Sequence, residues 1–194
     1  RYVQNTSSGN TGYRIADHLY RHGHDITCVS GITTCPKPNW LPLVIGADSP
    51  DEMLNELKAL SNDDIDAWIH CAAVLDYVVD TPAEGKLASQ QGPLEVRLVE
   101  SPKHILELRE KCQGAVRIGF KLETGIKHKE LVRRAVAQLE YAGMTAVIAN
   151  RLEDLNDKTR PRAYLVDTTG ADFTLNTIND VCVAVTTVID RGNR

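Results

Sequence analysis

The chain lacks most of the devices that hold proteins together other than a packed core. Its five cysteines, Cys28, Cys35, Cys71, Cys112 and Cys182, are odd in number and contain no C-x-x-C pair. They read as core or incidental thiols of a reducing cytoplasm, which argues against a disulfide framework or a zinc centre. No apolar run approaches the ~20 residues needed to cross a bilayer, and no stretch resembles a signal peptide. A cytoplasmic protein without a membrane partner is expected. Charge is weakly negative, 22 Lys and Arg against 26 Asp and Glu, and the basic residues are scattered, so no nucleic-acid surface is expected. There is no P-loop of G-x-x-x-x-G-K-[ST] form, no nucleophile elbow and no zinc spacing. None of the six tyrosines has a lysine four residues on, which weakens a Tyr-x-x-x-Lys dehydrogenase.

What is present suits an ordinary globular domain. The 194 residues are 42% hydrophobic and 25% charged, enough for one self-supporting core. Residue 1 is arginine rather than methionine, and Arg1-Tyr2-Val3 has the look of a segment entered midway.

Strand-like and helix-like segments alternate. Tyr13 to His22 places Ile15, Ala16 and Leu19 on one helical face, with Gly23 as a stop. Ile26–Val29 and Leu43–Ile45 read as short strands flanking a loop with three prolines. Ser49-Pro50-Asp51-Glu52 opens a helix, with Ser as N-cap, Pro at the first position and Glu closing a capping box. Ala67–Val74 is a continuous, mostly apolar strand expected to be covered on both faces. Leu94, Val96 and Leu98 alternate with polar residues as in a half-exposed strand. Ser101-Pro102 opens a further helix. Val116–Phe120 and Ala146–Ala149 are strands around a helix from Lys127 to Tyr141. Ala163–Val166 and Phe173–Leu175 suggest a hairpin around Thr169-Gly170. Val181, Ala184, Val185, Val188 and Ile189 fall at helical spacing despite their β-branched content. The pattern predicts an α/β domain with a largely parallel sheet, in which ligands gather beyond the carboxyl ends of the strands.

The stretch Asn5-Thr6-Ser7-Ser8-Gly9-Asn10-Thr11-Gly12 stands before the first helix. Glycines there permit a tight turn and close backbone approach, and the helix start offers free N–H groups to an anion or nucleotide. The alternative is an ordinary Ser/Asn-rich helix start. Asp76 follows a buried strand, where a carboxylate can reach a ribose, a metal-bound phosphate or an amine, or simply be solvated. Lys86 lies in the unpatterned segment 78–93, whose length suits a lid closing over a phosphate; as a lone loop lysine it would be surface charge. His70 and His104 read as packing or helix-surface residues rather than catalysts.

Taken in order, these stretches resemble the phosphopantothenoylcysteine synthetase (phosphopantothenate–cysteine ligase) family of coenzyme A biosynthesis. Residues 1–12 look like its R-[YF]-[IL]-x-N-x-S-[ST]-G-x-x-G signature. Ala72-Ala73-Val74-Leu75-Asp76-Tyr77 is similar to A-A-V-x-D-Y, and Gly85-Lys86-Leu87 to the lid K-I. Ser101–Ile105 resembles an N-P-D-I-like segment, Gly119–Thr124 matches G-F-[AK]-x-E-T, and Ala149-Asn150 matches the A-N of the next strand. The resemblance implies a Rossmann-like three-layer fold over residues 1–194, with a lid at about 78–93 and a C-terminal hairpin. It implies a homodimer, a nucleoside triphosphate (CTP or ATP) with Mg2+, no flavin, and two substrates, 4′-phosphopantothenate and cysteine. It assigns Asn5 to the acyl carbonyl, Lys86 to the phosphates, Gly9, Gly12, Ala72, Asp76 and Phe120 to the nucleotide, and Arg1 and Ala73 to substrate. No side chain is expected to form a metal cage.

There are departures from the family pattern. Its first strand and Gly-Gly-Thr turn would precede Arg1. Two helix positions that often carry lysine are Gln138 and Ala142 here, and Ala88 replaces the second lid lysine. Two alternatives stand beside the ligase: a Rossmann-like NAD(P)-dependent oxidoreductase, and a non-catalytic nucleotide-binding module.

Overall fold

A computed structural model describes residues 5–61, 64–82, 85, 87, 88 and 92–192. Lys86 and Arg1 lie outside the described residues, as does most of the proposed lid tip. In chain order the elements are α1 (Asn10–Arg21), β1 (Thr27–Ser30), β2 (Leu43–Gly46), α2 (Pro50–Leu60), β3 (Ala67–His70), β4 (Tyr77–Val79) and β5 (Leu98–Glu100). Then follow α3 (His104–Glu107), β6 (Val116–Glu123), α4 (His128–Ala142), β7 (Ala146–Arg151), β8 (Ala163–Asp167), β9 (Asp172–Leu175) and α5 (Ile178–Gly192).

The central sheet has the order β3-β6-β7-β8-β9. β3, β6 and β7 run parallel, with Ala67 opposite Val116 and Ile118 opposite Ala146. β8 and β9 close the far side antiparallel, forming the expected hairpin. β1 and β2 make a separate parallel ribbon, and β4 and β5 an antiparallel one. The sheet is therefore mixed, and parallel where the rim forms.

Three layers result. On one face α1 and α5 bury Ile15, Leu19, Val181, Val185 and Ile189 against Val116, Ile118 and Ile148. On the other, Leu131, Ala135, Leu139 and Ala142 of α4 cover Val147, Ala149 and Val166. Leu54, Trp68, Leu108 and Cys112 extend that second face under α2 and α3. Each large aliphatic side chain fully withdrawn from water contributes about 1.5–3 kcal/mol, so the three clusters account for the fold without staples. The five cysteines are free thiols.

Caps explain several boundaries. Ser49 Oγ accepts the Glu52 N–H at 3.2 Å, while Glu52 reaches back to the Asp48 N–H at 2.8 Å. Thr177 and Asp180 exchange equivalent bonds at the start of α5. That box and the buried stripe together overcome the β-branched content of α5. Gly143 ends α4 in the left-handed conformation.

Other expectations shift. Helix α1 begins at Asn10, three residues before the first apolar position. The strand expected over Ala67–Val74 stops at His70, and residues 71–76 turn across the sheet end. Leu94 and Val96 alternate as a strand should but lie in no strand, because only Leu98–Glu100 finds a partner, in Tyr77–Val79. The helix predicted from Ser101 is a single turn starting at His104.

Candidate active site

Because β3, β6 and β7 are parallel, their carboxyl ends share one rim. His70, the last residue of β3, pairs with Gly119, so Phe120 stands level with the 71–76 turn. Phe120 in turn pairs with Ile148, just before Ala149-Asn150. The three stretches that resemble one family's motifs are thus neighbours in space.

The segment before α1 joins them. The Asn5 amide donates to the Ala73 carbonyl at 3.0 Å and to the Val74 carbonyl at 3.2 Å. Carbonyls only accept, so this pairing fixes which end of the side chain is nitrogen. Asn5 Oδ1 has no partner among the described residues. Gly9 is the N-cap of α1 with φ +77°, a conformation L side chains rarely adopt. A Cβ there would also lie 2.6 Å from Thr33 Cγ2. At Gly12 a Cβ would lie 3.1 Å from Cys71 Sγ, which sets the first turn of α1 directly against the end of β3. That turn carries no acidic residue, leaving its partial positive charge open to an anion.

Surrounding bonds brace the turn. The Tyr13 hydroxyl pairs with Ser30 Oγ at 2.7 Å and Thr33 Oγ1 at 3.3 Å, and the Cys35 N–H donates to Ser8 O at 2.9 Å. Burial, reinforced by nearby Cys28, pushes the Cys71 thiol up to about 11. It stays protonated and is no nucleophile at neutral pH.

Ala72, Ala73 and Asp76 are exposed on the rim. The Asp76 carbonyl accepts the Ser101 N–H at 2.9 Å, tying the 71–76 turn to the ribbon's return strand. The β6 and β7 ends are tied by ion pairs. Glu123 meets Arg134 of α4 at 2.7 Å and Lys121 at 3.1 Å. Buried Asp154 accepts from Arg151 at 2.6 Å and Arg160 at 3.2 Å, and Arg151 also reaches the Ile126 carbonyl.

The arrangement brings Asn5, Gly9 and Gly12 up to the segment that carries Ala72 and Ala73, with Phe120 one register step past the end of β3, while Asp76 is tied to Ser101 instead. Sequence reasoning missed Gln138 as part of the layer beneath this rim. Its position was noted only for lacking a lysine, yet it is 4% exposed and its Nε2 lies 3.4 Å from the Phe120 carbonyl. The available signal was a polar residue on the stripe Leu131, Ala135, Leu139 and Ala142, where an apolar one was due. Ala142 is fully buried as well, so both lysine-like positions face the sheet. Among the described residues no group of three His, Cys, Asp or Glu could hold a metal ion.

A three-layer α/β domain with an open rim at its parallel strand ends defines a Rossmann-like architecture. The chain belongs to the DNA/pantothenate metabolism flavoprotein C-terminal domain family, whose model matches residues 1–189. It is 34% identical over 154 residues to the coenzyme A biosynthesis bifunctional protein CoaBC of Thermococcus kodakarensis, covering 79% of this chain and 38% of that protein. Identity to the Methanocaldococcus jannaschii CoaBC is also 34%, over 78% of this chain and 36% of the relative. The chain therefore spans less than two fifths of the length of these relatives. In fold it is similar to the DNA/pantothenate metabolism flavoprotein from Streptococcus pneumoniae, with a TM-score of 0.85 at 21% identity, covering 98% of this chain and 91% of that one. It is also similar to a Cab2 mutant in complex with phosphopantothenate-cysteine, with a TM-score of 0.75 at 17% identity over 100% and 80% of the two chains.

Proposed function

We propose that this domain is a phosphopantothenate–cysteine ligase acting in coenzyme A biosynthesis. The observation that carries the reading is the pair of bonds from Asn5 to the Ala73 and Val74 carbonyls. They join the two stretches that most resemble the family's signature into one corner beside the α1 N-terminus. Names of relatives add support, since the matching proteins are coenzyme A biosynthesis enzymes.

Carboxylate is a poor electrophile, so the reaction proceeds in two steps. A carboxylate oxygen of 4′-phosphopantothenate attacks the α-phosphorus of CTP or ATP, and pyrophosphate leaves. The cysteine amine then attacks the acyl carbon, loses a proton, and displaces the nucleoside monophosphate. When bound, Mg2+ neutralises charge on the triphosphate. The α1 start with Gly9 and Gly12 takes phosphate oxygens; Ala72, Asp76 and Phe120 line the nucleotide; Ala73 and Arg1 face substrate; Lys86 closes over the phosphates. Both Asn5 N–H groups are engaged by the turn, so Asn5 shapes the corner through Nδ2. To meet the acyl carbonyl it must release one of these bonds, while Oδ1 is open to an incoming N–H donor.

A homodimer follows from the same reading. β4 and β5 pair over only three residues each, and an isolated ribbon of that kind is marginal in water. Tyr77 and Leu98 on it are 52% and 45% exposed, and a second copy is the proposed cover; sedimentation tests it.

The deciding assay is pyrophosphate release with 4′-phosphopantothenate, comparing CTP with ATP, with and without cysteine. Release by a full-length chain supports the ligase, and its absence with both nucleotides overturns it. Asn5→Asp should still release pyrophosphate but stall before the amide; an unchanged amide yield removes Asn5 from that role. Lys86→Gln should slow the first step.

A further inference from the structure

Strand β6 outruns its neighbour. β3 last pairs at His70 with Gly119, while β7 continues beside β6 to Glu123 and Arg151. From Phe120 onward β6 has no strand on its β3 side among the described residues, and this open stretch is where the rim lies. Helix α4 crosses behind it, and Gln138 reaches down from that helix.

Two observations fix what Gln138 does there. Its Nε2 lies 3.4 Å from the Phe120 carbonyl, a long hydrogen bond made in a buried place. The same nitrogen lies 2.6 Å from where a Cβ on Gly119 would stand, with Met144 and Val147 closing the space at 3.5 Å. Real Cβ atoms essentially never approach so closely, so a methyl at 119 would make the Gln138 amide swing aside and leave the Phe120 carbonyl. Leucine or methionine could fill the volume at 138, but neither could donate to the carbonyl. A buried amide without that use would carry a desolvation cost.

We propose that Gln138 is a positioning residue of the nucleotide pocket, using the room left by Gly119 to hold the Phe120 carbonyl where β3 no longer braces β6. The inference rests on the ligase reading for the identity of the ligand, but its packing part does not. Gln138 touches no reacting atom and acts through Phe120. Its effect therefore falls on nucleotide affinity and leaves the phosphopantothenate end untouched.

The test compares the full-length protein with Gln138→Met, Gly119→Ala and the double change Gly119→Ala with Gln138→Ala. Calorimetric titration with CTP, ATP and 4′-phosphopantothenate is run beside thermal melting. Gln138→Met conserves volume and should weaken binding of the preferred nucleotide about five- to tenfold, the scale of one lost hydrogen bond, with phosphopantothenate affinity unchanged. Gly119→Ala should lower the melting midpoint, and the double change should restore the midpoint but not the nucleotide affinity. Wild-type nucleotide binding by the folded double variant or by Gln138→Met overturns the positioning role. A Gly119→Ala protein that melts like wild type overturns the packing claim. Absence of nucleotide binding by the wild-type protein instead overturns the ligase reading, and the melting comparison still decides the Gly119–Gln138 pair.

Discussion

On the α1–α5 face of the sheet, Ile15, Ile118, Ile148, Val181 and Val185 form an almost wholly buried aliphatic layer, with Phe120 packed at its edge. The α3–α4 face of the same strands buries His104, Arg117 and Gln138, with His70 close by. Arg117 and Gly119 alternate with Ile118 along β6, so one strand supplies both surfaces. The Arg117 guanidinium donates to the Ala142 carbonyl at 2.6 Å and the Ile105 carbonyl at 2.7 Å, which caps α4 and ties down α3. Arg117 Nε, His70 Nε2, His104 Nδ1 and Ser101 Oγ are buried without a partner among the described residues. Among the described residues none of these unpartnered atoms lies on the dry face, which supplies stability. The polar face gives up some stability and gains fixed positions for the three segments that shape the rim.

The largest test of that division is Ile118→Ala on the dry face. Ile118 is fully buried, and removing its branch should cost about 2–5 kcal/mol in denaturant unfolding. Nucleotide and phosphopantothenate affinities of the folded fraction should stay put. If affinity falls as far as stability, the two faces are not separable. Next comes Arg117→Met on the polar face. It strands two carbonyls, each costing roughly 1–3 kcal/mol when left unmade, partly offset because an apolar side chain relieves a buried charge. Here ligand affinity should fall with stability, since α3 and α4 lose their common tie; a loss of stability alone would place Arg117 with the scaffold.

The pH dependence separates the faces more finely. Burial, then Arg117 and His104, bring the His70 imidazole from the ordinary 6.5 down to about 3. Burial likewise lowers His104, against a hydrogen bond to the Pro50 backbone and the nearby Asp51 and Glu107 carboxylates. A lowered folded value means the unfolded chain binds more protons in between. Stability from these groups is fully present above 6.5 and is lost as pH falls from there toward about 3. Urea unfolding between pH 7 and 4.5 should therefore show stability falling with pH, and His70→Asn should flatten the slope. An unchanged slope would mean that His70 is hydrated and titrates normally.

How much of this was legible beforehand depends on which face is considered. Periodicity located the dry face well, because Val181, Val185 and Ile189 obey helical spacing whatever their intrinsic preference. The rim was legible only as separate motifs, since adjacency between Asn5 and Ala73 is a property of tertiary packing. Two errors have physical causes. Leu94 and Val96 alternate correctly, but a strand needs a partner, and only Leu98–Glu100 has one. The run to Val74 reads as strand, but Gly12 brings α1 against Cys71 and Asn5 captures the carbonyls of Ala73 and Val74, so the ladder stops at His70. Gln138 was passed over because comparison with a family asks which residue is missing, whereas packing asks which is present.

The smallest expected effect contrasts the helix starts of the two faces. Helix α5 opens on a Thr177–Asp180 box in which both side chains satisfy backbone N–H groups. Helix α4 opens on Lys127, whose side chain makes no cap bond and whose charge opposes the helix dipole. Thr177→Ala should cost about 1 kcal/mol. Lys127→Asp should instead add roughly 0.5–1 kcal/mol by capping α4. Such a gain with nucleotide affinity intact would show that the weak start of α4 is incidental. A gain coupled to lost affinity would mean that the positive charge beside β6 serves the triphosphate, and that stability on the polar face is held below its limit by the site it supports.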